Sequence, residues 1–148
     1  MKNLILLVFI MLFTFSCKTD KKVETKKSEI KTNKELPFLG TWTRSFEMGN
    51  GVSAKVTYSV FKDSIQYEML GPMTMKYTLV KDSFYPKDNR WIGKRGETPY
   101  AIFVKNISKD AITLLKMKVN NKEDAEIMPF PSDSARSKFS SWNTYQKK

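Results

Sequence analysis

Residues 52–60 show the feature that most constrains the fold, a strict alternation of apolar and polar side chains. The apolar positions are Val52, Ala54, Val56, Tyr58 and Val60. Residues 64–70 and 73–79 repeat the alternation, and short segments rich in turn-forming Gly, Pro, Asn and Asp separate the runs. Because neighbouring side chains on a strand point to opposite faces, each run predicts a half-buried β-strand. The short turns predict that successive strands pair antiparallel.

Shorter runs extend the predicted sheet on both sides of these strands. They cover residues 40–48, 81–85, 100–107, 111–119 and 125–130. Residues 86–99 are rich in Pro, Gly, Asp and Asn and predict a loop, although residues 90–93 could pair briefly. An open sheet of seven or eight strands would leave two unpaired edges, which favours closure. The predicted fold class is all-β, an antiparallel up-and-down meander closing into a small β-barrel of about eight strands.

The C-terminal tail, residues 132–148, has a different periodicity. Ala135, Phe139 and Trp142 are spaced as on one face of a helix, and Asp133 or Ser134 is available as a cap. The tail therefore predicts a short C-terminal helix laid against the barrel.

The N-terminal segment indicates export. Lys2 is followed by an apolar run over residues 4–15, the length of a signal-peptide core rather than of a membrane span. Ser16 then precedes Cys17, the only cysteine of the chain. This arrangement resembles the signal peptide and lipobox of bacterial lipoproteins. The resemblance implies a signal peptide over residues 1–16, acylation of Cys17 with chains such as palmitate, and anchoring in the bacterial cell envelope, with the outer membrane expected.

Residues 17–37 connect this anchor to the domain at 38–148. The connecting segment consists largely of Lys, Glu, Thr, Ser and Asn, so it has too little apolar surface to offset the entropy of ordering. It therefore predicts a disordered Lys-rich tether, with a polar helix as the alternative.

The net charge of +11 predicts an anionic partner. Export makes nucleic acid an unexpected one, whereas anionic lipid headgroups, phosphorylated lipopolysaccharide and acidic glycans are present in the envelope. Within the predicted loop 86–99, the residues that could contact such a partner are Arg90, Trp91, Lys94 and Arg95. An ordinary solvated basic surface is the alternative reading of this loop.

The start of the first predicted strand carries Gly40 and Trp42 in a Gly-x-Trp arrangement. This resembles the signature with which lipocalin and related calycin barrels begin. The resemblance implies that Trp42 packs across the narrow end of the barrel, often beneath an Arg from a late strand. The predicted late strands contain no Arg, so Lys105 or Lys116 is expected in its place, or the contact is absent. The family binds small apolar or amphipathic molecules inside the barrel.

The alternation also predicts which side chains face the barrel interior. The residues expected to line a ligand cavity are Tyr58, Tyr67, Met69, Met75, Tyr77, Ile102 and Val104. The three tyrosines would supply hydrogen-bonding groups for a ligand with polar atoms, unless their hydroxyls simply reach water at the rim. Met69, Met73 and Met75 are interpreted as flexible core packing rather than as thioether ligands of Cu(I).

No arrangement of residues in the sequence predicts catalysis. The chain has no His, and lipidation of Cys17 would leave no free thiol for a nucleophile. Glycine-rich phosphate loops do not occur in the sequence. We therefore expect no enzyme, no metal and no cofactor, and a monomer with one of two functions. The first is a barrel that binds a small hydrophobic or amphipathic ligand; the second is a filled barrel that acts as an interaction or inhibitor module through its basic surface.

Overall fold

The computed structural model describes residues 35–137 and 140–148. Cys17, the predicted signal peptide and most of the predicted tether lie outside these residues, as does Phe139. The elements in chain order are β1 (Gly40–Glu47), β2 (Ser53–Val60), β3 (Ser64–Leu70), β4 (Met75–Tyr85), β5 (Arg90–Arg95), β6 (Thr98–Lys105), β7 (Ala111–Lys118), α1 (Lys122–Ile127), β8 (Arg136–Ser137), β9 (Ser140–Ser141) and β10 (Asn143–Lys147).

Eight of these strands form a closed antiparallel barrel in the order β1-β10-β7-β6-β5-β4-β3-β2. Each strand from β1 to β6 pairs with the next strand along the chain, and β10 pairs with both β7 and β1. The predicted fold class, an all-β up-and-down barrel of about eight strands, is therefore confirmed. Closure leaves no barrel strand with an unpaired edge.

The strand that closes the barrel differs from the predicted one. Residues 125–130 were expected to close the sheet, but residues 122–127 form α1 instead. Asn121 caps this helix by accepting a hydrogen bond from the Asp124 amide at 2.7 Å. A short helix is present in the C-terminal part of the chain, but it precedes the segment whose spacing predicted it. The tail instead supplies β10, because its backbone satisfies the open edges of β1 and β7.

The region predicted as a loop also differs, since β5 and the first two residues of β6 lie within residues 86–99. A bulge between Lys81 and Ser83 lets β4 continue to Tyr85 as one strand, so the separate strand predicted at 81–85 is wrong. The turns at residues 86–89 and 96–97 are short, and the polar residues that predicted a long loop are divided between these turns and the ends of strands.

The buried apolar side chains form two clusters. The inner cluster fills the barrel, and its fully buried side chains include Phe38, Trp42, Ile65, Leu79 and Trp91. The outer cluster lies between the barrel wall and α1, and consists mainly of Ile92, Ala101, Phe103, Val119 and Ala125. Strands β5 and β6 are therefore buried on both faces, which explains their nearly continuous burial. The described helix, with six residues, is too short to cross a membrane.

Candidate functional site: a tyrosine-lined mouth

The inward-facing side chains become more exposed towards one end of the barrel. Along β3, Ile65 is fully buried and Met69 is partly exposed; along β4, Leu79 is fully buried and Met75 is 42% exposed. We call this end, formed by the β1–β2, β3–β4 and β5–β6 turns, the mouth. At the opposite end, the buried Leu36 and Phe38 pack against the inner cluster. The mouth is therefore the more solvent-exposed end of the barrel.

Four tyrosine rings cross the interior just below the mouth. Tyr58, Tyr67 and Tyr77 are direct cross-strand neighbours on β2, β3 and β4. The Tyr67 and Tyr77 rings stack with centroids 4.8 Å apart, and the Tyr58 ring meets the Tyr67 ring edge-on at 5.2 Å. Tyr145 on β10 reaches across to Tyr58, also edge-on at 5.2 Å. These contacts fix the rings, so the polar groups below the mouth are held on a rigid surface.

Lys116 of β7 lies among these rings. Its Nζ atom is 3.9 Å from the Tyr67 centroid and 5.1 Å from the Tyr77 centroid, and it donates a hydrogen bond to the Tyr77 hydroxyl. The rings of Tyr58 and Tyr100 are also within reach, at 6.0 Å and 5.9 Å. Tyrosine faces and a hydroxyl oxygen thus surround the ammonium group and stabilise its charge inside the barrel.

Two arginines approach the same site from other strands. The Arg95 guanidinium lies 4.6 Å from the Tyr77 centroid, on the strand next to that of the tyrosine. Arg44 of β1 lies over the Phe46 ring at 4.8 Å, and its charge acts on Tyr145. Among residues 35–137 and 140–148, neither arginine forms an ion pair with a carboxylate, and Glu97 in the adjacent turn is exposed. Among the described residues, the mouth therefore brings the cations Lys116, Arg95 and Arg44 close to the tyrosine rings.

Burial shifts the pKa values of Lys116 and of the tyrosines at this site. Burial lowers the pKa of Lys116 to about 8, and the nearby Arg95 charge acts in the same direction. Burial raises the pKa of Tyr145 to about 12, and it also raises the pKa values of Tyr58, Tyr67 and Tyr77. The phenols therefore stay neutral at physiological pH and can both donate and accept hydrogen bonds.

The residues predicted to line a cavity occupy three levels of the barrel. Tyr58, Tyr67 and Tyr77 form the tyrosine layer with Lys116. Ile102 and Val104 are fully buried in the inner cluster below it. Met69 and Met75 are paired at the rim above it. The interpretation of the methionines as core packing is wrong for Met73 and Met75, which are 70% and 42% exposed because they lie in or next to the β3–β4 turn.

The predicted exposed basic loop does not exist as a unit. Arg90 and Trp91 are buried, because β5 pairs with strands on both sides, and only Lys94 and Arg95 are exposed. Trp91 faces the inner cluster. Arg90 faces the outer cluster, where its Nη1 atom donates to the carbonyl oxygens of Ala125 and Met128 at 2.8 and 2.7 Å. Arg90 thus fixes α1 to the barrel wall and is not available to a partner.

At the closed end, Trp42 is buried and donates an Nε1 hydrogen bond to the Phe38 carbonyl at 2.8 Å. Neither lysine expected over its ring is the cation found there. Lys105 packs on Trp142 at 4.1 Å outside the barrel and pairs with Asp133, while Lys116 belongs to the mouth. The cation over Trp42 is Lys147 of β10, 5.7 Å from the ring centroid, and a Cβ atom at position 40 would lie 3.6 Å from its Cε atom. Sequence reasoning missed this residue because it had not placed the tail in the barrel.

The other side chains of the candidate site that sequence reasoning missed are cations on inward positions. Arg44 interrupts the apolar parity of β1 between Trp42 and Phe46, and Lys116 continues the parity of Ile112 and Leu114 on β7. A charged residue at a position that should face a core is itself a signal, because burying an ammonium or guanidinium group is costly. This signal was present in the sequence at both positions.

Comparison with protein-family models, with curated proteins and with solved structures finds no match to this chain.

Proposed function

We propose that this chain is a lipid-anchored protein of the bacterial cell envelope whose lipocalin-like barrel binds a small amphipathic ligand at its mouth. The observation that carries the proposal is the cross-strand tyrosine layer with Lys116 among its rings. A core that served stability alone would favour apolar side chains here, since the desolvation that lowers the pKa of Lys116 to about 8 opposes folding. Small-molecule sites typically combine apolar walls with a few convergent polar groups.

The surface-interaction alternative loses support from the burial of Arg90 and Trp91. The alternative requires both side chains to contact a partner, but both are buried in the folded protein. Of the other two, Arg95 belongs to the mouth and Lys94 is exposed on the outer side of β5. We therefore do not propose a function for this surface.

Ligand binding is tested by native mass spectrometry of the full-length protein, purified from its own host in lipid nanodiscs. We expect a stoichiometric small molecule on the wild-type chain. The double variant Tyr67→Phe/Tyr77→Phe should lose it, because it removes two hydroxyls at the mouth while keeping the rings. Tyr85→Phe is the matched control, since Tyr85 packs in the outer cluster. A wild-type protein that carries no small molecule would contradict the proposal.

Anchoring is tested separately with Cys17→Ser. The wild-type protein should fractionate with membranes and carry an acylated N-terminal cysteine, whereas the variant should be soluble or retain its signal peptide. Thr19→Ser serves as the control and should be processed normally. A normally acylated Cys17→Ser protein would refute the lipobox interpretation.

A further inference from the structure

Core packing does not explain the methionines of the β3–β4 hairpin. Met73 is 70% exposed and Met75 is 42% exposed, whereas Met69 is partly buried against the inner cluster. The sequence offers one other interpretation of these three residues, thioether ligands of Cu(I). That interpretation requires side chains that an ion can reach from solution, and the exposure of Met73 and Met75 satisfies the requirement.

The strand register brings two of the thioethers together. Met69 and Met75 are direct partners on β3 and β4, and they form the last pair before the turn. Directly opposed residues share a face of the sheet, with Cβ atoms about 5 Å apart. Because methionine side chains are long and flexible, both sulfur atoms can contact one ion that lies between them.

Met73 is placed to supply a third sulfur atom. It lies in the turn that joins the two strands, two residues before Met75. Two residues of extended chain span at most about 7 Å, so the Cα atoms of Met73 and Met75 are no farther apart than this. The side chain of Met73 can therefore reach an ion held by the opposed pair.

The turn that carries Met73 is held against the barrel. A Cβ atom at position 71 would lie 3.0 Å from the Ala54 Cβ atom and 3.5 Å from the Ser53 carbonyl oxygen, so Gly71 packs closely on β2. Pro72 follows, and its ring fixes the φ angle of the backbone. Both residues restrict the turn, which lowers the entropy lost when the ligands gather around an ion.

The donor atoms of the hairpin suit a soft metal ion. Thioether sulfur is a soft ligand and selects Cu(I), whereas Zn(II) and harder ions prefer imidazole, thiolate or oxygen. Within residues 35–137 and 140–148, no group of three or more His, Cys, Asp or Glu could hold a metal ion. Glu68 precedes Met69 on β3, so its carboxylate points to the opposite face, where it pairs with Lys76 at 3.5 Å.

The charge of the mouth favours a monovalent ion over a divalent one. The Arg95 guanidinium lies 4.6 Å from the centroid of Tyr77, which follows Met75 by two residues on β4. Arg44 adds a second guanidinium at this end of the barrel. Coulomb repulsion is proportional to the charge of the ion, so these groups oppose a divalent ion about twice as strongly as Cu(I).

From this arrangement we infer that Met69, Met73 and Met75 form a Cu(I) site at the rim of the mouth. The ion lies between the opposed pair, and Met73 is the third ligand. The ion binds and dissociates as Cu(I), without change of oxidation state. The site is separate from the amphiphilic ligand of the proposed function, and its test requires no such ligand.

The test uses the full-length protein in zwitterionic nanodiscs without oxygen. Cu(I) is supplied as its acetonitrile complex, and a coloured Cu(I) chelator serves as the competitor. We expect saturable transfer of Cu(I) from the chelator to the protein, and X-ray absorption at the copper edge should show sulfur ligands. Zn(II), followed with a zinc dye, should bind at least about tenfold more weakly. Absence of transfer, a copper ion with only nitrogen and oxygen ligands, or equal affinity for Zn(II) would each overturn the inference.

Variants locate the ion. Met69→Leu and Met75→Leu should each weaken Cu(I) binding by at least about tenfold, because leucine keeps the volume of the side chain and removes the sulfur. Adding Met73→Leu to both should abolish binding. Met117→Leu is the matched control, since Met117 packs against the outer cluster, and it should retain the wild-type affinity. Equal Cu(I) affinity in the wild type and in the triple variant would overturn the inference.

A last variant excludes the thiol as the ligand. Cys17→Ser should bind Cu(I) as the wild type does, whereas loss of binding in this variant would overturn the methionine site. Native mass spectrometry detects a copurified small molecule independently of copper. A protein that carries such a molecule but takes up no Cu(I) would therefore overturn this inference alone and leave the proposed function standing.

Discussion

The indole ring of Trp91 lies directly over Gly93, so that a Cβ atom at position 93 would be only 2.3 Å from the ring's Cη2 atom. The same Cβ would lie 2.3 Å from the Val80 carbonyl oxygen, which is backbone and cannot move aside. Both residues lie on the face of β5 that points into the barrel. Because Gly93 has no side chain, the Trp91 ring can pack in the inner cluster. The pair explains how a six-residue strand accommodates one of the largest buried side chains of the barrel.

Gly93→Ala should therefore destabilise the barrel by about 3 kcal/mol or more, at the upper end of the overpacking range. Chemical denaturation followed by tryptophan fluorescence measures the change. Gly96→Ala is the control, since its Cβ meets nothing within 4 Å and costs only the strain of a φ of 55°, about 1 kcal/mol. Equal losses in the two variants would show that Trp91 does not occupy this position.

Arg90→Met should destabilise the protein by about 3 kcal/mol, because it leaves the Ala125 and Met128 carbonyls without their donor and Asp88 without its partner at 3.0 Å. Denaturant unfolding measures the total loss, and hydrogen exchange should show the amides of α1 opening first. Lys94→Met, at an exposed position of the same strand, should change stability by less than about 0.5 kcal/mol. A fully stable Arg90→Met protein would contradict the role of Arg90 in fixing α1.

The buried ammonium of Lys116 predicts an unusual pH dependence of stability. Its pKa is lowered from 10.5 to about 8 in the folded state, so between these values the unfolded state holds more protons and stability rises with pH. Among the described residues, the titratable and charged groups near Lys116 include Tyr58, Tyr67, Tyr77, Tyr100 and Arg95. Tyrosines whose pKa values are raised by folding have the opposite effect, because they ionise in the unfolded state at a lower pH than in the folded state. They lower stability only above about pH 10, where unfolded tyrosines begin to ionise.

The wild type should therefore gain about 2 kcal/mol relative to Lys116→Met between pH 8 and 10, at about 1.4 kcal/mol per pKa unit. Denaturation of both proteins at half-unit intervals measures this difference and cancels the exposed lysines common to both. Lys105→Met removes a lysine from the outer surface. Its free energy of unfolding should change with pH in the same way as that of the wild type. A constant difference between the wild type and Lys116→Met over this range would refute the buried position of the ammonium.

Removal of residues 142–148 should open the barrel, because β1 and β7 would each lose one of their two pairing partners. Two exposed edges favour pairing with other chains, so we expect loss of cooperative unfolding and self-association. Size-exclusion chromatography with light scattering and a thermal melt measure both effects. Removal of Lys148 alone eliminates one backbone hydrogen bond, to Thr41, and should leave a monomeric folded protein. A folded monomer without residues 142–148 would contradict closure by β10.

Local pattern predicted the strands whose neighbours in the barrel are also neighbours in sequence. Strands β2 and β3 alternate strictly, and a turn of three residues joins them, so pattern and pairing agree. The alternation also placed Tyr58, Tyr67 and Tyr77 on one face, where they form the tyrosine layer. The prediction failed for β5, since polar residues such as Arg90 and Lys94 disguised a strand that is buried by two clusters at once.

The sequence by itself determined that this chain folds as a closed antiparallel β-barrel, because period-two alternation and short turns depend only on residues close together in the chain. Tertiary structure decided which segment closes it and which cations meet at the mouth. The closing strand Asn143–Lys147 has one buried residue, Tyr145, and forms because β1 and β7 present unpaired edges. Of these two strands, β1 lies nearly a whole domain away in sequence. Lys116, Arg95 and Arg44 come from three different strands, and their common site exists only once the barrel closes.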